Sequence, residues 1–251
     1  MHSMILIVNP AAGRGVGARL SQPIAERLRD YGLDFGLVTT SGAHHATQLA
    51  REAVAEGRET VVAAGGDGTF NEVLNGLLQT GGEPPDTALG LLPIGTGNDF
   101  AFGAGLPLDL WEACEVVAKG RSRFLDVGLF RADNEEPRFF GNGIGIGFDA
   151  VANIESRKIK RLRGTLLYLV AVIRTLAFYY DAPRITLCVD GEERVQPSLM
   201  ISVMNGRRMG GGFYMTPTSE MDDGLLDLCL AGKVSRPKMV RFVPRFMRGT
   251  H

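Results

Sequence analysis

With 251 residues the chain is long enough to build one large hydrophobic core or two modest ones without metals or disulfides, which excludes a mini-protein scaffold. Hydrophobic residues are 45% and charged residues 22%, and the 33 glycines and 12 prolines carry no tripeptide period, so disorder and a collagen-like fibre are excluded. The 27 Lys+Arg against 28 Asp+Glu leave a net charge of -1, so there is no global reason to expect a nucleic-acid partner.

The opening MHSMILIVNP has too short an apolar stretch before Asn9 and Pro10 for a signal peptide, and it is expected to form a first strand. The first half then alternates ILIV (5–8), FGLV (35–38), TVVAAG (60–65) and LGLLP (89–93) with helical patterns over 18–31, 44–56 and 69–79. That alternation predicts βαβ units on a doubly wound parallel sheet. In the third helix Phe70, Val73, Leu74, Leu77 and Leu78 fall at i, i+3, i+4, i+7 and i+8, one face against the sheet. From about Leu125 the strand-like runs FLDVGLF, RITLCVDG, LMISVMNG and LLDLCLAG predict a second, mostly β domain, interrupted by one long helical stretch over 153–180. The domains are therefore expected over 1–124 and 125–251. The apolar part of the long stretch, 162–180, is broken by Arg163 and Arg174, so no membrane span is expected. Cys114, Cys188 and Cys229 are odd in number, far apart and without a CxxC pair, which argues against zinc or a disulfide framework and fits a reducing cytoplasm.

Three glycine-rich turns each follow a predicted strand: NPAAGRG (9–15), GGDGTFNE (65–72) and GTGNDF (95–100). In a doubly wound sheet the loops at the strand C-termini line one crevice. Glycine lets the backbone approach a phosphate, and the helix following Thr69 offers unpaired N–H groups to an anion. Together the turns predict a nucleoside triphosphate site. Each alone reads as an ordinary strand-to-helix turn, and Asp67 alone as a helix cap. No GxxxxGK[ST] occurs, and neither 13–17 nor 143–147 has the GxGxxG spacing, so P-loop and NAD-binding Rossmann motifs are not matched.

NPAAGRG, GGDGTFNEV, GTGNDFA, FFGNGIGIGFDA and MDDGLLDL, in this order and at these intervals, resemble the diacylglycerol kinase catalytic-domain family, specifically its soluble bacterial lipid kinases, over nearly the whole chain. The resemblance implies an α/β ATP-binding domain, like those of NAD kinases and phosphofructokinases, and then a mostly antiparallel β-sandwich that closes a cleft over it. It implies ATP-dependent phosphorylation of a membrane lipid hydroxyl, such as that of diacylglycerol, with Mg²⁺ as cofactor, on the cytoplasmic side as a peripheral protein of the inner membrane. Asn9, Pro10, Ala11, Ala12, Gly13 and Thr40 would contact the nucleotide; Gly65, Gly66, Asp67, Gly68, Thr69, Phe70 and Asn71 would wrap the phosphates, with Thr96 bonding near them. Asp67 is the implied catalytic carboxylate, organising Mg²⁺ or the water network on the phosphate side. Asp126 resembles a family Asp in the network between the domains. Glu220, Asp223 and the Leu225 carbonyl match a structural Mg²⁺ site, although Asp222-Asp223-Gly224 by itself is good turn chemistry.

In the family the general base lies in a C-terminal Asp-Gly-Glu motif, and members continue past the position of His251. Asp190-Gly191-Glu192 lies between two predicted strands and reads as a hairpin turn, so the base role is not carried to Glu192. Two alternatives stay open: an NAD kinase-like enzyme, on GGDGT, and a nucleotide- or lipid-binding pseudokinase, on the missing C-terminal carboxylate. Two basic clusters, Arg157, Lys158, Lys160, Arg161 and Arg163, and Arg236, Lys238, Arg241, Arg245 and Arg248, are either membrane contacts or solvated helix faces. His44 and His45 read as capping or solvent-facing rather than as metal ligands. No nucleic-acid partner is expected, and a homodimer is left open.

Overall fold

The computed structural model describes residues 3–79, 86–159, 162 and 164–251. The chain divides into two compact units, Met1–Gly141 and Asn142–His251.

The first unit runs β1 (Met4–Val8), α1 (Ala12–Asp30), β2 (Phe35–Thr39), α2 (His45–Ala55), β3 (Thr60–Gly65), α3 (Asp67–Leu78), β4 (Ala88–Pro93), α4 (Asp99–Gly103), α5 (Leu110–Lys119), β5 (Gly128–Phe130) and β6 (Arg138–Phe140). Strands β1 to β4 form a parallel sheet in the order β2-β1-β3-β4, with Met4 in register with Phe35 on one side and Thr60 on the other. Every residue of β1 is buried, as a central parallel strand covered on both faces requires. Side chains alternate along a strand, so Met4, Leu6 and Val8 join Val62, Ala64 and Leu92 in a core with Ile24 and Leu28 of α1 and Cys114 of α5. Ile5, Ile7, Val61 and Ala63, equally buried, take the opposite face, where α2 and α3 pack together. Helices on both faces of a parallel sheet are the doubly wound architecture expected from the sequence.

The short hairpin of β5 and β6 belongs to this unit. Asn75 on α3 donates Nδ2 to the Phe139 carbonyl and accepts the Phe139 N–H with Oδ1, both at 2.9 Å, and Gln79 donates to the Pro137 carbonyl at 2.7 Å. These bonds hold 137–140 to α3, so the packing division comes at Gly141, whereas the composition changes near Leu125.

The second unit runs β7 (Gly143–Gly147), α6 (Phe148–Lys158), α7 (Gly164–Phe178), β8 (Arg184–Val189), β9 (Glu192–Met204), β10 (Arg208–Met209), β11 (Phe213–Tyr214), β12 (Asp227–Gly232) and α8 (Arg236–Arg248). Its main sheet is antiparallel, with β9 between β12 and β7 and with β8 paired to the first half of β9. Asp190 and Gly191 turn β8 into β9 at φ 49° and 86°, and Val189 pairs with Glu192, the two-residue hairpin of the I′ type. The Asp-Gly-Glu at 190–192 is therefore a turn, with an exposed Glu192 paired to Arg194 at 3.2 Å.

The single helix expected over 153–180 is two helices. Residue Ile159 leaves helical geometry at ψ 104°, and α7 begins afresh at Gly164. The break has a physical reason in Glu155, which is 1% exposed and pairs with Lys158 of its own helix and with Arg174 of α7 at 3.2 Å. On one continuous helix residues 155 and 174 would stand about 28 Å apart. Folding the helices together brings Arg174 to the buried carboxylate that Lys158 already pairs from its own helix, and the hydrogen bond from Lys158 holds it below the usual carboxyl range. Of the first basic cluster, Arg157 and Lys158 end α6, while Lys160, Arg161 and Arg163 lie outside the described residues.

Candidate functional site

The four parallel strands direct their C-terminal ends to one edge of the sheet. From β1 the chain passes through α1 to β2, then returns through α2 to β3 on the other side of β1, so the connections diverge between β1 and β3. In open α/β sheets the binding crevice lies outside that point.

Asn9 stands there. Its N–H donates to the Ala64 carbonyl at 3.0 Å and extends the β1–β3 ladder by one rung. Its side chain crosses the divergence, with Nδ2 donating to Thr69 Oγ1 at 2.9 Å and Oδ1 accepting the Ala11 N–H at 2.9 Å. Gly13 follows at φ 57°, where a Cβ would stand 2.6 Å from the Ile94 carbonyl oxygen, so the first loop passes directly over the end of β4. Pro10 is half-buried, Ala11 is exposed, and the Ala12 side chain is spent on the core. Thr40, the first residue beyond β2, is buried and donates its N–H to the Val8 carbonyl at 2.9 Å.

The third and fourth loops touch backbone to backbone. A Cβ on Gly95 would stand 2.5 Å from the Gly66 Cα, and one on Gly66 2.9 Å from the Gly95 Cα, so only residues without side chains allow this approach. Gly65 anchors both loops from the end of β3, its carbonyl accepting from the N–H groups of Ile94 and Gly95. Asp67 is the first residue of α3, half-buried, and its Oδ1 accepts the Phe100 N–H in α4 at 3.0 Å. Its carboxylate thus caps the neighbouring short helix and ties the two loops together. The N–H groups of Asp67, Gly68 and Thr69 open α3, where they have no carbonyl one turn back to bond and where the helix dipole favours an anion.

The remaining expected residues sit around this cluster in different ways. Gly68 is exposed with open space where a Cβ would go, and Asn71 is half-buried on α3. The Phe70 ring is buried and stacks on Phe100 with centroids 3.7 Å apart, so it offers a ligand its backbone alone. Thr96 is exposed in the turn after β4. One residue without an assigned role in the sequence belongs here too. Asn98, at φ 52°, donates Nδ2 to the Gly95 carbonyl at 3.2 Å and buries an Oδ1 that has no hydrogen-bond partner among the described residues. His45 accepts the Ser41 N–H at Nδ1 at 2.9 Å, a bond from the loop before α2 to its first residue, and the start of that helix carries no side-chain cap.

In the second unit Glu220, Asp223 and Leu225 are all exposed in the segment before β12, and Asp223 Oδ1 accepts the Leu225 N–H at 3.0 Å, a side-chain-closed turn. Asp126 lies half-buried in the first unit, two residues before β5. Among the described residues no group of three His, Cys, Asp or Glu is placed to hold a metal ion.

Asp149, at the start of α6, escaped the sequence reading. It is 3% exposed and accepts from Ser202 Oγ at 2.6 Å and the Ala150 N–H at 2.8 Å. Burial pushes its carboxyl up to about 6, against the lowering effect of those two bonds. It borders an apolar cavity of about 30 Å³ that Tyr168, Val172, Met200 and Phe213 also line. The available signal was the alternation in GIGIGFD, because a side chain at Gly145 would overlap this carboxylate. Burial also pushes the thiols of Cys114 and Cys229 up to about 11, which makes both poor nucleophiles.

Residues 3–130 match the family model described as the diacylglycerol kinase catalytic domain, and residues 142–251 that of the YegS C-terminal NAD kinase beta sandwich-like domain. A diacylglycerol kinase of Mycobacterium tuberculosis (strain ATCC 25618 / H37Rv) is 32% identical over 247 residues, which cover 98% of this chain and 78% of the relative. A diacylglycerol kinase of Bacillus subtilis (strain 168) is 30% identical over 250 residues, covering 98% and 79%. The crystal structure of a diacylglycerol kinase from Bacillus anthracis str. Sterne aligns with a TM-score of 0.74 at 26% identity, over 96% of this chain and 77% of that one.

Proposed function

Because the chain belongs to the diacylglycerol kinase catalytic-domain family and is a lipid kinase, we propose that it transfers the γ-phosphoryl group of ATP to a hydroxyl of a membrane lipid such as diacylglycerol. The observation that carries this reading is the placement of Asp67: a carboxylate fixed by the Phe100 N–H at the opening of α3, between Gly66 and Gly68 and beside the Asn9–Thr69 bond.

Phosphoryl transfer asks a protein mainly for positioning and for neutralisation of charge. The N–H groups opening α3 would bond phosphate oxygens, and Gly68, with open space where a Cβ would go, leaves the backbone bare for the phosphate chain to approach. Asn9 fixes the orientation of Thr69 and so the mouth of the helix. The donor set fits a nucleotide-bound Mg²⁺, an ion that takes one or two carboxylates and completes its shell with phosphate oxygens and water. Asp67 would hold it, and the ion, when bound, neutralises charge on the transferring oxygens.

A second Mg²⁺ is proposed on Asp223, Glu220 and the Leu225 carbonyl. Asp223 Oδ1 is engaged by the Leu225 N–H, so Oδ2 is the oxygen that would face the ion. Mg²⁺ without nucleotide is expected to raise the melting temperature of the parent but not of Asp223→Ala, since an ion that binds the folded state stabilises it. Equal melting of both at every Mg²⁺ concentration would leave 222–225 as a turn alone.

The acceptor is presented by a bilayer, and we assign the enzyme to its cytoplasmic surface. No helix among the described residues is long and apolar enough to cross a membrane. The reading is tested by incubating the chain with γ-labelled ATP, Mg²⁺ and, separately, diacylglycerol, phosphatidylglycerol, a sphingoid base, a polyprenol and NAD, then separating the products. Label in a lipid is expected. Label in NADP would replace the reading with an NAD kinase-like one, and ATP binding without label in any acceptor would favour the pseudokinase.

A further inference from the structure

The two helices that follow β4 begin in opposite ways. Asp109, before α5, is extended at φ -73° and ψ 129°, and its carboxylate accepts the Trp111 and Glu112 N–H groups at 2.9 and 3.1 Å. That is how an N-terminal side chain ordinarily closes the first turn of its own helix. Asn98 holds the same position before α4 and is of an equally favoured type, yet its side chain caps nothing in that helix.

The Asn98 backbone is left-handed, at φ 52° and ψ 42°, which Asn tolerates better than most residues and which excludes the extended geometry from which a side chain caps. Its amide turns back along the chain instead. Nδ2 donates to the Gly95 carbonyl at 3.2 Å, and Oδ1, buried and without a hydrogen-bond partner among the described residues, stands over Gly95, 2.6 Å from where a Cβ would be. A left-handed turn at a residue with a side chain is costly, and so is a buried acceptor left unsatisfied. The helix that Asn98 leaves uncapped takes its acceptor from another loop. The Phe100 N–H, the second of α4 and one that an N-terminal side chain would ordinarily take, is bonded to Asp67 Oδ1 at 3.0 Å.

We infer that Asn98 is a positioning residue for Asp67: by turning left-handed and spending its amide on Gly95 it withholds the cap of α4, and so leaves the Phe100 N–H to hold the Asp67 carboxylate. A residue 98 that capped its own helix would compete with Asp67 for one N–H, and the carboxylate would lose the bond that fixes its direction. The stacked rings of Phe70 and Phe100 keep α4 beside α3 whichever acceptor wins, so the effect falls on the carboxylate and not on the packing. The inference rests on the reading of Asp67 as the carboxylate of phosphoryl transfer.

Asn98→Gly and Asn98→Ser separate this role from a structural one. Gly adopts the left-handed turn freely and has no side chain to cap with, whereas Ser is a strong cap in extended geometry. A role in helix stability alone would favour Ser or leave the two equal. Positioning reverses the order in rate: the Ser variant, melting no lower than the Gly variant, is expected to transfer the phosphoryl group of ATP to diacylglycerol up to about 100-fold more slowly, the scale of a misplacement of about 1 Å. Amide hydrogen exchange on the full chain without ligand reads the same competition apart from activity. Asp67→Ala should strip the Phe100 N–H of its protection in the parent and in Asn98→Gly, and leave it protected in Asn98→Ser, where residue 98 supplies the acceptor. Protection that survives Asp67→Ala in the parent overturns the inference, because Asn98 would then be capping α4. So does a folded Ser variant that transfers as fast as the Gly variant. If Asn98→Ser does not fold, exchange in the parent with and without Asp67→Ala still decides. A parent that shows the expected exchange but labels no lipid keeps the arrangement of Asn98 and Asp67 and loses the kinase reading.

Discussion

Asp67→Asn is expected to lower phosphoryl transfer by about 100-fold or more, the scale seen when a group stabilising transition-state charge is removed, while ATP still binds. The substitution is specific because Asn keeps an oxygen that can accept the Phe100 N–H, so the tie between the third and fourth loops survives and the negative charge alone is lost. Single-turnover transfer from labelled ATP measures the first half, and calorimetric titration with ATP the second. Turnover within a few-fold of the parent would remove Asp67 from the chemistry. If binding and turnover vanished together with a lowered melting temperature, the residue would be a strut of the loops.

Gly95→Ala is expected to destabilise the fold by about 1–3 kcal/mol, the usual range for a methyl forced into a packed site, and to weaken ATP binding. The new Cβ would stand 2.5 Å from the Gly66 Cα and 2.6 Å from Asn98 Oδ1. Neither loop can yield easily, because Ile94 and Gly95 both donate to the Gly65 carbonyl, at 2.8 and 3.2 Å. Gly68→Ala supplies the control, since its Cβ meets open space and the variant should melt no lower than the parent. Equal melting temperatures and ATP affinities for Gly95→Ala and the parent would show that the loops do not depend on this contact.

The first unit was legible because each of its signals is local. An apolar run, a glycine turn and an amphipathic helix each lie within a short stretch, and parallel βαβ units bring their turns to one edge by topology alone. Asp67 could be picked out from the glycines on either side of it. Its partner could not, because Phe100 lies 33 positions away and contributes a main-chain N–H, which leaves no mark in the sequence. The second unit was harder to read. Glu155 is a charged residue in a helical pattern, and nothing nearby says that Arg174 returns to it. For the second basic cluster a solvated helix face was one of the two readings, and its ends are marked in the sequence by a proline in the first turn and by Gly249, at φ 67°, just beyond the last turn of α8.

Every link among the first, third and fourth loops is made from the chain's own atoms: Asn9 to Thr69, Asp67 to Phe100, and the glycine contacts between main chains. Closing them therefore belongs to folding. A ligand arriving at this edge meets a surface whose conformational entropy has already been surrendered, and more of its contact energy remains as affinity. The same rigidity works against molecules of the wrong shape, because a mouth that cannot widen excludes a bulkier group by steric clash. Loosening it, by Asn9→Ala for instance, would relax both properties at once, trading selectivity and affinity for a broader range of occupants.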